Sequence, residues 1–116
     1  MIALETQGQF EELWQNDPAT QLPHPSMRPH DRSWIIYFTA TWCKACKNLN
    51  MDDIAKVAAD NQLPLFVCNQ VNNEYTSGYC GVKVFPTFMH FKPKQIAGAL
   101  SSSNTEVVIK WINQID

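Results

Sequence analysis

Trp34-Ile35-Ile36-Tyr37-Phe38-Thr39, followed after two residues by Trp42-Cys43-Lys44-Ala45-Cys46-Lys47, is the stretch on which the fold turns. Its first part is nearly continuously apolar and rich in β-branched and aromatic residues, the pattern of a strand buried on both faces. Its second part changes period. A helix is expected from Cys43 to about Asn61, with Leu49, Ile54, Val57 and Ala58 inward and Asp52, Asp53 and Lys56 outward. Two cysteines at C-x-x-C spacing fall on this strand-to-helix junction, placed for reversible disulfide chemistry. Both thiols fit in the first helical turn, close enough to bridge. The amino end of that helix, with its unpaired N–H groups and dipole, favours a thiolate on Cys43. Because the thiolate is the attacking species, Cys43 reads as the nucleophile and Cys46 as its resolving partner.

Outward from this centre, Ile2-Ala3-Leu4 reads as a short strand, and Thr6 as the cap of a helix to about Asn16 with Phe10, Leu13 and Trp14 on its buried stripe. Residues 17–33 carry Pro18, Pro23, Pro25 and Pro29 with His24 and His30, which excludes regular structure and predicts a surface loop. Leu65-Phe66-Val67-Cys68 is the third strand, and Asn72 to Gly78 a short polar helix or turn. Phe85 to Phe91 makes a fourth strand with its proline at the start, and Gln95 to Leu100 its hairpin partner. A final helix begins near Asn104 and should bury Val107, Val108, Trp111, Ile112 and Ile115. The order βαβαβαββα points to one α/β domain over residues 1–116, a central mixed five-stranded sheet flanked by helices.

Composition narrows the function classes. A chain of 116 residues holds one core and not two, and a net charge of −2 implies no polyanion partner. No basic cluster interleaved with aromatics appears, so nucleic acid is not an expected partner, and no apolar run approaches membrane-spanning length. Met1 to Thr6 shows no basic segment followed by a long apolar stretch, so no secretory signal is expected. Four cysteines (Cys43, Cys46, Cys68, Cys80) are too sparse for a disulfide scaffold and fit one redox-active pair in a reducing compartment. The cytoplasm is the expected location.

The chain resembles thioredoxins. The residues that carry the likeness are Trp42-Cys43-x-x-Cys46-Lys47, Phe85-Pro86-Thr87 lying 40 residues beyond the resolving cysteine, and Gly98-Ala99-Leu100-Ser101 before the last helix. The resemblance implies a thioredoxin fold and a cis peptide before Pro86, opposite the dithiol. It further implies that the backbone of Phe85 pairs with an extended substrate segment, that Gly98 leaves room for the partner's chain and that Trp42 offers an apolar contact surface beside the nucleophile. No cofactor is implied. Electrons must come from a separate reductase or thiol pool.

Departures from the pattern are informative. Between the cysteines the family's Gly-Pro is replaced by Lys44-Ala45, and Lys44 puts a positive charge beside Cys43 that favours the thiolate. The family's buried aspartate six residues before the nucleophile is Tyr37, and its lysine partner aligns without gaps to Cys68. A tyrosine with an ordinary pKa near 10 is a poor proton acceptor at neutral pH. The second helix has no proline kink, and the segment from Pro86 to Gly98 is short, so the final hairpin should be trimmed.

Competing readings are plainer. A zinc site would need Cys68 and Cys80 beside the pair, at a spacing too wide for a second knuckle. Cys68 reads as a small core residue of its strand. Cys80 reads as a partly exposed thiol, or one that links a dimer of an otherwise monomeric protein. Trp14, Trp34 and Trp111 read as core, His90 as a packed or edge histidine, and Asp52 with Asp53 as a solvated helix face. The function expected is thiol–disulfide exchange that reduces protein disulfides. The alternatives are an isomerase or oxidase, and a binding module with a vestigial pair.

Overall fold

In the computed structural model, residues 2–15, 33–92 and 95–115 are described, and the side chains of residues 12, 13 and 15 lie outside that set. The proline-rich segment read as a surface loop falls outside the described residues except for its last, Ser33. Five strands form one sheet: β1 (Ile2–Ala3), β2 (Trp34–Thr39), β3 (Leu65–Asn69), β4 (Thr87–Lys92) and β5 (Gln95–Ser101). Four helices accompany them: α1 (Gln7–Gln15), α2 (Met51–Asp60), α3 (Glu74–Tyr79) and α4 (Thr105–Asn113). The strand order is β1-β3-β2-β4-β5, with β3 parallel to β1 and β2, and β4 antiparallel to β2 and β5.

β2 is central because its side chains suit burial on both faces. Trp34, Ile36 and Phe38 enter one core with Leu4, Phe10, Phe66, Met89 and Phe91, beneath α1 and α3. Ile35 and Tyr37 enter the opposite core with Leu49, Ile54, Ala58, Leu65, Phe88, Val108 and Ile112, beneath α2 and α4. Alternation along one strand thus ties the two halves of the sandwich together.

Helix starts follow side-chain chemistry. Thr6 Oγ1 accepts from the N–H of Gln9, whose own amide oxygen accepts from the N–H of Thr6, a reciprocal capping box. Asn50, Asn73 and Asn104 cap α2, α3 and α4 in the same way, each accepting from the N–H three residues on.

Several expectations need correction. The helix expected from Cys43 to Asn61 is broken: Ala45–Asn48 is a 3-10 turn, Leu49 is extended at ψ 134°, and α2 begins only after Asn50. Leu49 keeps the apolar period and stays buried, so the break is invisible to periodicity. Asn50 causes it, with its side chain on the Asp53 N–H at 3.2 Å and its own N–H donated to Thr105 Oγ1 at 2.9 Å. Proline is not needed for the interruption. The fourth strand starts at Thr87 instead of Phe85, because no ladder pairing begins until Phe38 meets Thr87. Val107 is exposed, since the buried face of α4 centres on Val108 and Ile112.

Candidate functional site

Cys43 lies between the end of β2 and the 3-10 turn. Its N–H closes a turn on the Ala40 carbonyl at 3.0 Å, and Lys44, in helical conformation, opens the turn that carries Cys46. This brings the two cysteines together as a disulfide, with Cα atoms 5.4 Å apart. They form a small apolar cluster with Ala40, with Ala45 and Phe85 packed against it. Cys43 and Cys46 are 4% and 8% exposed, so the pair is largely shielded from solvent.

The N–H of Cys46 donates to Cys43 Sγ at 3.1 Å. This corrects the expected source of thiolate stabilisation. A four-residue 3-10 turn has little summed dipole, and α2, which could supply one, starts eight residues after Cys43. The group the structure aims at the Cys43 sulfur is therefore local, the Cys46 N–H, and Lys44 beside it in the chain is exposed.

Trp42, the residue before Cys43, is 63% exposed. Its ring meets Phe85 edge-on at 5.4 Å, and its Nε1–H donates to Gln70 Oε1 at 3.4 Å. Gln70 was not singled out from the sequence. It lies just beyond β3, and only the parallel pairing of β2 with β3 reveals that this end meets the residues after β2. The Phe85–Pro86 peptide is cis and Pro86 is buried. Thr87 closes the segment from below, bonding through Oγ1 to the Val84 carbonyl and to Ser101 Oγ.

Gly98 does not join this group. The register sets Ser101 opposite Thr87 and Gly98 opposite His90, and a bulge lies between the His90 and Phe91 pairs. At about 3.3 Å per residue, Gly98 is roughly 10 Å along β5 from the end of the strand that meets Thr87. A Cβ built on it would meet Trp111 at 3.9 Å, an ordinary contact, so it marks no cleft there. The register follows from β4 ending at Lys92 and β5 starting at Gln95, with the bulge between the Gly98 and Ile96 pairings.

The proton-transfer positions also differ from expectation. Tyr37 pairs with Val67, whereas Cys68 pairs with Phe38 and enters the opposite core. The residue facing Tyr37 is thus an aliphatic one. Tyr37 stacks on Phe88 at 4.7 Å and donates to Thr39 Oγ1 at 3.3 Å, and burial raises its pKa above the usual tyrosine value.

Cys68 and Cys80 share the core beneath α1 and α3. Cys80 is buried where α3 ends and is not a partly exposed thiol. Burial pushes each to a pKa of about 12, with the neighbouring Cys68 adding to the rise at Cys80. At neutral pH neither ionises, and linking two copies through Cys80 would require the end of α3 to open. His90 is buried in the sheet with its pKa lowered by desolvation. Among the described residues no three His, Cys, Asp or Glu side chains group as a metal site would require, and no helix is long and apolar enough to cross a membrane.

The thioredoxin family model matches residues 24–114. Thioredoxin of Oryctolagus cuniculus is 29% identical over 85 residues, covering 73% of this chain and 81% of that protein. Among solved structures, Plasmodium falciparum thioredoxin superposes with a TM-score of 0.78 at 14% identity over all of both chains. Fasciola hepatica thioredoxin gives 0.75 at 20% identity, again over both full lengths. These two show the same mixed sheet flanked by helices. With the matched sequence model and the paired cysteines at the end of β2, the chain belongs to the thioredoxin family and is a thiol–disulfide oxidoreductase.

Proposed function

We propose that this protein works in the reducing direction on protein disulfides, in the cytoplasm, and as a monomer. The observation that carries the reading is the Cys46 N–H aimed at Cys43 Sγ, next in the chain to an exposed Trp42. In the reduced pair that N–H and Lys44 hold Cys43 as a thiolate. It attacks one sulfur of a target disulfide, the target's S–S bond breaks, and the departing thiolate takes a proton from solvent. Cys46, losing its own proton, then attacks the Cys43 sulfur. The mixed disulfide breaks, the second target thiolate leaves, and two electrons have passed from the dithiol to the target. The Cys43–Cys46 disulfide that remains is reduced by a separate reductase or thiol pool.

Trp42 and the Phe85–Pro86 segment hold the substrate in this reading, as an apolar face and as backbone exposed to strand addition. Tyr37 takes no part in the proton step. It has no charge to receive a proton with, and its hydroxyl is occupied by Thr39. The second deprotonation therefore goes to solvent or to the departing target thiolate.

Direction is decided by the reduction potential of the Cys43–Cys46 pair. Lys44 stabilises the dithiol form and moves the potential upward, yet a value closer to about −270 mV than to about −180 mV is expected. A value at the upper figure or above would replace this reading with an isomerase or oxidase.

A further inference from the structure

Three segments meet at the dithiol through Ala40 to Cys46, Gln70 and Phe85, and the stretches of chain around these contacts are residues 40–50, 69–73 and 80–88. Together they contain three lysines, Lys44, Lys47 and Lys83, and no carboxylate, in a chain whose net charge is −2. All three lysines are exposed. Lys44 caps the 3-10 turn and Lys47 lies within it three residues on, a spacing at which side chains of such a turn eclipse one another. Lys83 comes from a different segment, two residues before Phe85.

Among the described residues, the acidic side chains lie outside these three segments. Asp52 and Asp53 are in the first turn of α2, just past the break at Leu49–Asn50, with Asp53 Oδ2 accepting from Asn50 Nδ2 at 3.0 Å. Glu74 opens α3, and Glu106 opens α4. The polar residues that follow β3 beside Trp42 are the uncharged amides Asn69, Gln70, Asn72 and Asn73.

The same segments also carry exposed apolar side chains. Trp42 is joined by Val84, 61% exposed and adjacent to Phe85, and by Val71, 53% exposed and adjacent to the Trp42 partner Gln70. Exposed large apolar side chains on the segments that meet at the dithiol, with lysines as the charged residues of those segments, suit a partner that supplies apolar contact and the opposite charge.

Resting on the exchange reaction above, we propose that this site selects oxidised protein segments bearing carboxylates next to the disulfide cysteine, with an apolar side chain for Trp42, Val71 and Val84. The lysines attract such a segment before contact and also offset the charge that its cysteine brings as a departing thiolate.

The test uses the reduced full-length protein and two synthetic peptides, each with one cysteine capped by 2-mercaptoethanol as a mixed disulfide. The peptides differ only in flanking aspartates or lysines. Oxidised 2-mercaptoethanol, a neutral disulfide, is the reference substrate. At low ionic strength the acidic peptide is expected to react about three- to tenfold faster than the basic one, with the gap closing in high salt. Lys83→Glu and Lys47→Glu should each cut the acidic-to-basic ratio by about half or more, and because the ratio is read within each variant, overall changes in reactivity cancel. Equal rates, or a faster basic peptide, with the neutral disulfide still reduced would overturn the selectivity and leave the exchange reading intact. Failure to reduce the neutral disulfide would sink both.

Discussion

At the residue scale the site is a thiol pair placed by one turn of backbone and served by a few local groups. In the proposed reaction the N–H of Cys46 on Cys43 Sγ and the charge of Lys44 take the place of the longer helix expected from the sequence. Tyr37 occupies the position the family gives to an acid, but it is built into the core, stacked on Phe88 and bonded to Thr39. Tyr37→Phe should therefore leave the rate of exchange at neutral pH within about twofold, while costing about 1 kcal/mol for the lost hydrogen bond. A rate fall of tenfold or more, measured with a neutral disulfide, would mean the phenol moves the Cys46 proton after all. Cys43, Cys46, Trp42 and Phe85 were all legible because C-x-x-C and Phe85-Pro86-Thr87 are local strings. Gln70 was not, since its link to Trp42 spans 28 residues and rests on strand pairing.

At the scale of elements, sequence period identified nearly every strand and helix, and failed where a polar residue overrode it. Leu49 continues the apolar repeat across the gap between the 3-10 turn and α2, so only Asn50 betrays the interruption. The signal was present: Asn50 with Asp53 three residues later is a capping pair, and Nδ2 of Asn50 also donates to Asp53 Oδ2 at 3.0 Å. Asn50→Ala should lower stability in urea by about 1 kcal/mol. A change indistinguishable from zero would show that the Thr105 contact to the Asn50 backbone, which alanine retains, sets the break by itself. The place of Gly98 was illegible for a different reason. Motif spacing carries a residue's name, whereas hairpin length and the bulge in β5 carry its register.

At the scale of the whole molecule, the sheet separates two cores with different chemistry. The core beneath α2 and α4 carries Tyr37, and the one beneath α1 and α3 carries both spare thiols. Sandwich architecture was readable because β2 is apolar on both faces, but which core each cysteine enters depends on the β2–β3 register. Folding keeps Cys68 and Cys80 protonated up to about pH 12, whereas in the unfolded chain they ionise near 9. Their contribution is therefore complete below about pH 9 and is lost as pH rises towards the folded values. Thermal denaturation should show a midpoint that falls steadily over that window, and less steeply in a Cys68→Ala/Cys80→Ala variant; parallel slopes would contradict burial of these thiols. The central claim, that Cys43 attacks and Cys46 resolves, is tested most directly by trapping. Reduced Cys46→Ser protein mixed with an oxidised protein substrate should accumulate a covalent adduct, cleaved by dithiothreitol and mapped by mass spectrometry to Cys43. No adduct, in protein whose Cys43 is readily alkylated, would contradict it.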